Sequence, residues 1–349
     1  MSETGTPLWV SVVIVNYNCK AWVPRCLESL REQTIYDRIE TIFADNISRD
    51  GSDLQAQELM KDWPHGVFLQ TGANLGFGGG ANRGATLAKG KFLFFLNPDV
   101  WLERDCLERL VAAAEKNGLG VAGPLVLNYG DDSLQSKGAS GFDIFGLSVD
   151  PRPSDEIPRL FSPSAFFFIR RNLFEKIGGW DDHFFMYGEE MDIAWRIWIA
   201  GEKVGHVPAA KMHHRGAAVD NPKGGDRVVE LRSSDTKRFC AYRNHLLMLL
   251  KAPQHFLLLL LLPATALVLL EGLTGAILLR RWSFFSNTSW KALRACWQLR
   301  GYWREQRWRI RRFRQRGDFW MIRFLSWRLN RWHEIRQILK LGMPKVEKR

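Results

Sequence analysis

Asp99 is the first side chain whose position in the sequence suggests chemistry, because it directly follows the apolar run 91–96 and the pair Asn97-Pro98. An apolar run of this length predicts a buried strand, and proline restricts the backbone just before the carboxylate. A carboxylate held at a strand end suits a hard divalent cation, which would neutralise a departing diphosphate. Asn-Pro-Asp is also a common turn sequence, so Asp99 alone leaves both a metal site and a plain turn open.

A second group of carboxylates lies at the start of a helix that the sequence predicts over residues 189–200: Glu189, Glu190 and Asp192. Acidic side chains in a first helical turn stabilise the helix dipole, which is the simple explanation. The apolar segment 184–187 comes just before them, however. A carboxylate in a partly apolar pocket can act as a general base toward a hydroxyl group.

Two further motifs could bind ligands. The pair His213-His214 follows a predicted strand, and a neutral imidazole can complete a metal shell, although such pairs are also structural or solvated. The glycine-rich residues 76–80 precede a predicted helix and offer backbone N–H groups to an anion. Their glycine spacing is not GxGxxG and follows the third predicted strand, which argues against a hydride-transferring Rossmann enzyme.

Strands and helices alternate along the first part of the chain. Apolar runs predict strands over residues 9–15, 40–44, 67–69, 91–96 and 165–169, and amphipathic stretches predict helices over residues 23–33, 52–61, 81–88, 104–117, 172–177 and 189–200. This alternation predicts an α/β fold with a parallel sheet, whose strand ends carry Asp45 and Asp99. Residues 128–163 show no period and are expected to form a long connection over the site.

Charge is concentrated at the C-terminal end. Residues 280–349 carry 20 Lys and Arg against 4 Asp and Glu, so +16 lies there and −4 in residues 1–279 of a chain whose net charge is +12. A near-neutral domain with a basic appendage is indicated, and only the appendage needs an acidic partner. The five cysteines show no zinc or disulfide spacing, and the N-terminus lacks a signal-peptide pattern, so we expect a cytoplasmic catalytic domain.

The apolar segment 246–280 separates the two parts. Residues 256–270 carry no charge, which is short of the ~20 residues of a spanning helix, and Pro253 and Pro263 favour a broken helix. A spanning, re-entrant or in-plane arrangement and a buried core helix all remain open. Beyond it, Trp and Arg alternate at helical spacings, as in an amphipathic helix on an anionic membrane. Nucleic-acid binding by residues 297–336 is the competing reading of the same pattern.

In order, the motifs resemble family 2 glycosyltransferases of the GT-A fold and, among them, bacterial rhamnosyltransferase-like members. The resemblance covers roughly residues 8–250 and rests on SVVIVNYN, ADN, NLGFGGGAN, FLFFLNPDV, FFFIRRNLFEKIGGWDDHFFMYGEEMDIAWR and HHRGAA. It implies an α/β, Rossmann-like nucleotide-diphospho-sugar transferase domain at residues 1–245. Hydrophobic membrane-associating helices at 246–280 and a basic Trp/Arg-rich helical tail at 281–349 would follow.

The resemblance also assigns roles to individual residues. Asp99 is the expected ligand of a divalent metal, Mg or Mn, with His213 as the better second ligand and His214 as the alternative. Glu190 stands at the position of the family's catalytic carboxylate, with Glu189 or Asp192 as candidates to share that role. The expected donor-binding residues are Asn16, Asp45, Asn74, Gly76, Gly79, Asn82, Asn97, Arg238 and Arg243. Asn97 replaces an acidic residue that the family often has, and the two arginines could instead lie at a membrane interface.

The implied function is inverting sugar transfer, with a nucleotide sugar as donor and a lipid-linked glycan as acceptor. L-Rhamnose from dTDP-rhamnose is the leading donor, and UDP-galactofuranose, UDP-glucose and UDP-N-acetylhexosamine are alternatives. The expected location is the cytoplasmic face of a bacterial inner membrane, peripheral or monotopic, on an anionic surface and without nucleic acid. A nucleic-acid-binding protein or an inactive membrane scaffold are the alternatives outside this enzyme class.

Overall fold

The computed structural model of the chain describes residues 7–151, 160–163, 166–216, 232–331 and 345–347. The strands are β1 (Val10–Asn16), β2 (Ile39–Asp45), β3 (Gly66–Gln70), β4 (Phe92–Leu96), β5 (Val100–Leu102), β6 (Val121–Asn128), β7 (Leu134–Ser136), β8 (Gly141–Phe142), β9 (Ser148–Val149), β10 (Phe168–Arg170), β11 (Val204–His214), β12 (Arg232–Ser234) and β13 (Lys345–Glu347). The helices are α1 (Val23–Arg31), α2 (Ser52–Met60), α3 (Gly76–Ala85), α4 (Cys106–Asn117), α5 (Arg171–Lys176), α6 (Glu189–Ile199), α7 (Asp235–Lys251), α8 (Leu261–Leu278), α9 (Trp282–Phe285), α10 (Lys291–Gln298), α11 (Arg300–Phe313) and α12 (Asp318–Met321). Short 3-10 helices cover Tyr36–Arg38, Phe256–Leu260 and Ile322–Phe324, and a π-helical turn covers Ser286–Trp290.

The chain divides into two compact units. The sheet unit comprises Met1–Gly138, Glu156–Asp182 and Lys203–Val228, and the helical unit comprises Ala139–Asp155, His183–Glu202 and Val229–Arg349. In this division α6 groups with the C-terminal helices, and the division into residues 1–245, 246–280 and 281–349 stays a prediction. An ion pair between Asp192 of α6 and Lys251 of α7 is one of the contacts that hold α6 in the helical unit.

The sheet unit is built on nine strands. Their order is β3-β2-β1-β4-β10-β6-β11-β5, with β7 paired to β6. β1 pairs in parallel with β2 and β4, and β2 pairs in parallel with β3, as predicted. β10 is antiparallel to β4 and β6, so the sheet is mixed. The connection between β6 and β10 contains the short strands β7, β8 and β9.

The register of β1 brings polar side chains together at one edge of the sheet. Val10 of β1 pairs with Ile39 of β2, and the register continues without a bulge until Asn16 meets Asp45. Every residue of β1, β2 and β4 is buried, which is typical of parallel strands covered on both faces. The carboxyl ends of these strands are therefore positioned by a rigid, apolar core.

Helix α3 begins at Gly76 rather than at residue 81, so the glycine-rich segment is helix and not a loop before one. A Cβ on Gly80 would lie 2.7 Å from Cγ1 of Val15, and a Cβ on Gly84 would lie 2.4 Å from Cγ1 of Val13. Such distances are far inside van der Waals contact. The glycines therefore let α3 pack directly on β1, which outweighs their poor helix propensity.

The helical unit contains the apolar segment. Among the described residues, Phe256–Leu278 is the one helical stretch long and apolar enough to cross a membrane, and 28% of its most apolar window is buried. Pro263 does not break this stretch, because it lies in the first turn of α8, where a missing N–H costs little. The stretch therefore continues directly from the 3-10 helix at Phe256–Leu260 into α8.

Gly84→Ala should lower the midpoint of thermal unfolding, because the added methyl group overpacks Val13 at a cost of about 1–3 kcal/mol. Gly301→Ala is the matched control, since Gly301 lies in helix α11 with no heavy atom of a neighbour within 4 Å of its Cβ position. That substitution should raise stability by up to about 1 kcal/mol through helix propensity. Equal effects of the two substitutions would contradict the close packing of α3 on β1.

Candidate active site

A buried polar network occupies the ends of β1 and β2. The Asn16 amide nitrogen donates to Oδ1 of Asp45 at 2.7 Å and to the hydroxyls of Ser48 and Ser52 at 3.0 and 2.8 Å. Asp45 also accepts from the backbone N–H of Ser48 at 2.9 Å. Asn16 and Asp45 are both fully buried. They therefore fix the loop after β2, and neither side chain exposes its oxygens to solvent.

Asp99 lies beside His214 in the sheet unit. Oδ2 of Asp99 is 3.5 Å from Nε2 of His214, and Nδ1 of His214 is 2.7 Å from Oε1 of Gln135. The Gln135 amide nitrogen donates to Asn128 and to the His214 carbonyl, so Oε1 is the acceptor and Nδ1 of His214 carries the proton. Nε2 therefore presents a lone pair toward a carboxylate oxygen.

This juxtaposition of two electron-pair donors is the distinctive electrostatic feature of the sheet unit. Burial lowers the pKa of His214, although the charge of Asp99 acts in the opposite direction, so the imidazole is neutral at physiological pH. Neither atom supplies a proton to the other in that state. A cation bound between carboxylate oxygen and imidazole nitrogen would satisfy both, and Gln135 would orient the imidazole, as outer-shell partners of metal ligands do.

His213 is placed differently. Its ring stacks on Trp101 with centroids 3.7 Å apart, and Nδ1 lies 3.1 Å from Oδ1 of Asp132. Successive side chains of a strand point to opposite faces, so only one histidine of the pair can face Asp99. The structure gives that position to His214, which reverses the order in which the sequence ranked the two. Within the described residues no three or more His, Cys, Asp or Glu side chains cluster as a metal site, so Asp99 and His214 would supply two ligands only.

The remaining predicted donor-binding residues of the sheet unit serve several local roles. Asn82 donates to the Trp180 carbonyl at 2.9 Å and accepts from the Trp180 N–H at 2.9 Å, which holds that loop on α3. Asn74 accepts from the Gly76 N–H at 3.1 Å at the start of the same helix. The carbonyl of Asn97 faces the Cys26 thiol at 4.0 Å.

A cavity lies along helix α3. It has a volume of about 400 Å³ and is lined by Leu75, Gly79, Asn82, Arg83, Thr86 and Asp182. It therefore includes Gly79 and Asn82 of the predicted donor-binding set. Asp99 is not among its lining residues, so this cavity alone does not define the reacting centre.

In the helical unit, a tightly held loop comes directly before the acidic turn, which is the first turn of α6 with Glu189, Glu190 and Asp192. Tyr187 and Gly188 both adopt positive φ angles, 66° and 82°, immediately before α6. The Asn244 amide nitrogen donates to the carbonyls of Met186 and Tyr187 at 2.8 and 2.7 Å. A left-handed tyrosine persists only where its surroundings hold it, and such strain is concentrated at functional loops.

The two arginines predicted to bind the donor lie on α7. Arg243 donates to the His183 carbonyl at 2.5 Å and to Oδ1 of Asn244 at 2.9 Å, so its guanidinium helps to hold the loop before α6. Arg238 lies on the same helix, five residues earlier. The role that the structure gives Arg243 is therefore to position the acidic turn.

Glu189 and Glu190 open α6 and are half-buried. Burial, and then the negative charge of Glu190, raise the pKa of Glu189 to about 8. Burial likewise raises the pKa of Glu190. Among the described residues, Oε2 of Glu189 is buried without a hydrogen-bond partner. A raised pKa makes a carboxylate a stronger base, which suits proton removal from a hydroxyl group.

Asp192 belongs to a buried ion cluster instead. Its Oδ2 accepts from Arg196 at 2.7 Å, and its Oδ1 lies 2.7 Å from Nζ of Lys251. All three side chains are almost fully buried, and Lys251 also lies over the ring of Phe184 at 4.6 Å. Asp192 therefore joins α6 to α7, and a role shared with Glu190 in proton transfer has no support in this geometry.

Three residues of these arrangements escaped the sequence analysis. Gln135 lies in the connection without a period, where no pattern marks it. Arg196 follows Asp192 at i+4, which is a helical ion-pair spacing and could have been recognised. Lys251 stands at the edge of the apolar segment, where a lysine reads as a membrane-interface residue, and only the fold shows it buried.

Comparison with known proteins identifies the family. The family Glycosyl transferase family 2 matches residues 11–191, which is more than half of the chain. The matched region contains Asn16, Asp45, Asp99 and the two glutamates of α6. The chain therefore belongs to family 2 of the glycosyltransferases and is a glycosyltransferase.

Several curated proteins are similar at low to moderate identity. The putative glycosyltransferase EpsH of Bacillus subtilis is 38% identical over 106 residues, which cover 30% of this chain and 30% of EpsH. The N-acetylglucosaminyl-diphospho-decaprenol L-rhamnosyltransferase of Mycobacterium tuberculosis is 28% identical over 58% of this chain and 75% of that protein. Rhamnosyltransferase WbbL of Escherichia coli is 22% identical over 66% of this chain and 92% of WbbL. The chain thus matches under a third of EpsH but most of both rhamnosyltransferases.

Solved structures establish the fold. Staphylococcus aureus TarS 1–349, in complex with UDP, superposes with a TM-score of 0.54 at 15% identity and covers 88% of this chain and 89% of TarS 1–349. GalNAc-T7 with UDP, GalNAc and Mn²⁺ gives a TM-score of 0.52 at 22% identity and covers 60% of this chain and 43% of that one. The predicted GT-A fold, followed by C-terminal helices, is confirmed.

Asp192→Asn should destabilise the chain by about 3–5 kcal/mol, because it leaves buried cations without their carboxylate. Asp105→Asn is the matched control, since Asp105 and Arg109 form an i,i+4 pair of the same length, 2.7 Å, with side chains 36% and 47% exposed. That exposed pair should contribute under about 1 kcal/mol. Urea unfolding of both variants measures the difference, and similar losses would show that burial of the Asp192 cluster is unimportant.

Glu189→Gln should make stability less dependent on pH. Since the pKa of Glu189 rises from 4.5 to about 8 on folding, the folded chain binds the proton more tightly, and stability falls as pH rises through this window. The variant should match the wild type near pH 4.5 and unfold at a higher temperature than it near pH 8. Thermal unfolding across this range measures the effect, with Glu28→Gln as control, since the Glu28 side chain on α1 is 58% exposed. Parallel curves for Glu189→Gln and wild type would exclude a raised pKa.

Proposed function

We propose that this glycosyltransferase moves L-rhamnose from dTDP-rhamnose onto a lipid-linked glycan acceptor, as one step of cell-surface polysaccharide synthesis. One observation supports metal-assisted sugar transfer above all. Oδ2 of Asp99 lies beside Nε2 of His214, whose lone pair faces it. The choice of donor and acceptor is supported by two similar proteins that are named rhamnosyltransferases, one of them acting on N-acetylglucosaminyl-diphospho-decaprenol.

The residues present fit a divalent cation, Mg²⁺ or Mn²⁺. Asp99 would bind it through a carboxylate oxygen and His214 through Nε2, and the diphosphate and water would complete the ligand set. When bound, the cation would neutralise negative charge on the leaving nucleoside diphosphate. The GalNAc-T7 structure with UDP and Mn²⁺ supports this assignment by likeness of fold.

Glu190 is proposed as the general base. It removes the proton from an acceptor hydroxyl while that oxygen forms a bond to the anomeric carbon of the donor sugar. The bond from that carbon to the diphosphate breaks with its electron pair on the leaving oxygen, and attack from the opposite side inverts the anomeric centre. The raised pKa of Glu190 favours its role as acceptor of this proton.

The donor base and the location are proposed from the similar proteins and from the cysteines. TarS binds UDP, so UDP-galactofuranose, UDP-glucose and UDP-N-acetylhexosamine remain the alternative donors within the same mechanism. A lipid-linked acceptor places the enzyme at a membrane, and the five free, buried cysteines suit the reducing cytoplasm. We therefore propose the cytoplasmic face of a bacterial inner membrane, with Arg238 and the basic C-terminal residues near anionic lipid.

Asp99→Asn should weaken Mn²⁺-dependent binding of dTDP or UDP by at least about tenfold, because it removes the charged metal ligand. Glu190→Gln should bind nucleotide as the wild type does and lose about 10²–10⁴-fold in kcat, because it removes only the base. Isothermal titration calorimetry and a steady-state transfer assay measure the two effects separately.

The histidine pair supplies the control for the metal assignment. His214→Ala should weaken Mn²⁺-dependent nucleotide binding as Asp99→Asn does, whereas His213→Ala should leave it unchanged. Loss of binding in His213→Ala alone would restore the ranking suggested by the sequence. Unchanged nucleotide affinity in Asp99→Asn and His214→Ala would overturn the proposed metal site altogether.

A further inference from the structure

Helix α8 and the 3-10 turn before it have two different faces. One face, Leu257, Leu260, Ala264, Val268, Gly272 and Ala276, is buried within the protein. The opposite face carries Leu259, Leu262, Leu270, Leu273 and Ile277, whose side chains are 37–70% exposed. With the exposed Ala266 between Leu262 and Leu270, the spacing of three and four residues makes one continuous stripe without a charge, about 27 Å long at 1.5 Å per residue. We call it the apolar stripe.

The buried face is packed tightly enough to be a permanent contact. A Cβ on Gly272 would lie 2.1 Å from Oγ of Ser289, and the Ser289 hydroxyl donates to the Val268 carbonyl at 2.7 Å. Gly275 is similarly close to the ring of Phe284, with its Cβ position 2.4 Å from Cε1. Small residues on α8 thus bring its backbone against the following helices, and this face is not available to lipid.

Contacts along α8 also show that it runs antiparallel to α7. After α8 ends, Arg281 pairs with Asp235 at the start of α7 at 2.6 Å. Within the helices, Glu271 accepts from the Tyr242 hydroxyl and pairs with Arg331 at 2.6 Å. Only residues 252–255 separate the end of α7 from the stretch that contains α8. The two helices therefore form a hairpin, side by side over their length.

The turn of this hairpin, between α7 and the apolar stretch, is held in the same unit. Asp318, which is 2% exposed, accepts from the backbone N–H groups of Gln254, His255 and Leu257 at 2.8, 2.7 and 3.0 Å. Arg307 donates to the carbonyls of Leu250 and Pro253 at 2.8 Å. Both ends of the apolar stretch are thus tied to charged groups of the helical unit.

These contacts conflict with a membrane span. A spanning α8 would separate its ends by the hydrocarbon thickness, about 30 Å, and would carry α7 with it. Helix α7 contains Asp235, Lys237, Arg238, Arg243 and Lys251, and charged side chains inside a bilayer are costly. Because α7 would have to take these charges into the bilayer together with α8, we infer that α8 stays on the side of the membrane where α7 lies.

We propose that α8 lies in the plane of an anionic membrane surface, with the apolar stripe inserted among the lipids and without crossing the bilayer. The inference rests on the proposed function, which places the acceptor in a membrane. Two features favour lipid as the occupant of the stripe. The chain from residue 280 onward carries 20 basic against 4 acidic residues. Trp282, Trp290, Trp297 and Trp308 in that part are 55–70% exposed, which suits the headgroup region.

Insertion depth along α8 tests the arrangement. Single cysteines at Leu262, Leu270 and Ile277 would carry a fluorophore in the full chain, bound to phosphatidylglycerol vesicles that contain lipids brominated at shallow or deep acyl positions. The five native cysteines are buried and should not react. An in-plane helix predicts equal quenching at the three sites, strongest by the shallow bromines. A spanning helix predicts unequal depths, because Leu270 would lie near the bilayer centre and the outer two sites, about 22 Å apart along the axis, nearer the two membrane surfaces, and that result would overturn the proposal.

Vesicle co-sedimentation tests the stripe itself. Leu262→Gln/Leu270→Gln/Ile277→Gln should reduce binding to phosphatidylglycerol vesicles by at least tenfold, whereas the control Leu54→Gln/Leu87→Gln/Leu134→Gln, which alters exposed leucines elsewhere, should bind as wild type. If the wild type does not bind vesicles and forms a dimer that the stripe substitutions dissociate, the stripe is a protein interface and the proposal fails.

Nucleotide binding, measured by calorimetry with Mn²⁺ on the same samples, separates this test from that of the proposed function. Stripe variants should keep wild-type nucleotide affinity while they lose vesicle binding. If the stripe variants lose vesicle binding and the wild type binds no nucleotide, the proposed function is wrong and the membrane inference is supported. If the wild type binds nucleotide and the stripe variants still bind vesicles, the membrane inference alone is wrong.

Discussion

The uninterrupted parallel pairing of β1 with β2 and β4 is the constraint on which the rest of the sheet unit depends. It aligns Asn16 with Asp45 and brings the polar strand ends to one edge of a fully buried core. Glycines in α3 allow that helix to pack against β1 without space for a methyl group. A slip of one residue would turn each apolar side chain to the other face, so the register is strongly determined. The polar edge is therefore as rigid as the core beneath it.

Much of this was predictable from the sequence, and the exceptions have physical causes. Apolar runs located β1, β2 and β4, because buried parallel strands are apolar on both faces. The sequence pattern predicts the start of α3 five residues after Gly76. A run of glycines predicts a loop unless the close packing of this helix on β1 is known. Likewise, strand alternation shows that His213 and His214 face opposite ways, but only the position of Asp99 beside one of them selects His214. The family motifs pointed to the glutamates of α6, while Gln135 lies where no period marks a contact.

The helical unit keeps its charges in pairs where they are buried. Asp192 is shared by Arg196 and Lys251, and Asp235 at the start of α7 is matched by Arg281 directly after α8. Breaking such pairs costs far more than breaking exposed ones, so they fix α6, α7 and α8 relative to one another within this unit. The same rigidity gives the acidic turn at Glu189 and Glu190 a fixed shape and leaves one apolar face of α8 uncovered. The proposed catalytic carboxylates and the proposed membrane-binding face thus depend on one set of buried ion pairs.

Sugar transfer itself is the most direct test of the central claim. Purified full-length chain with Mn²⁺ would be incubated with dTDP-rhamnose or with each UDP-sugar, and with a polyprenyl diphosphate that carries an N-acetylhexosamine, and the lipid products would be weighed by mass spectrometry. The lipid is expected to gain one deoxyhexose from dTDP-rhamnose, and chelation of the metal should abolish this gain. Transfer from a UDP-sugar alone would contradict the proposed donor. No transfer and no release of nucleoside diphosphate from any donor would contradict the proposed chemistry.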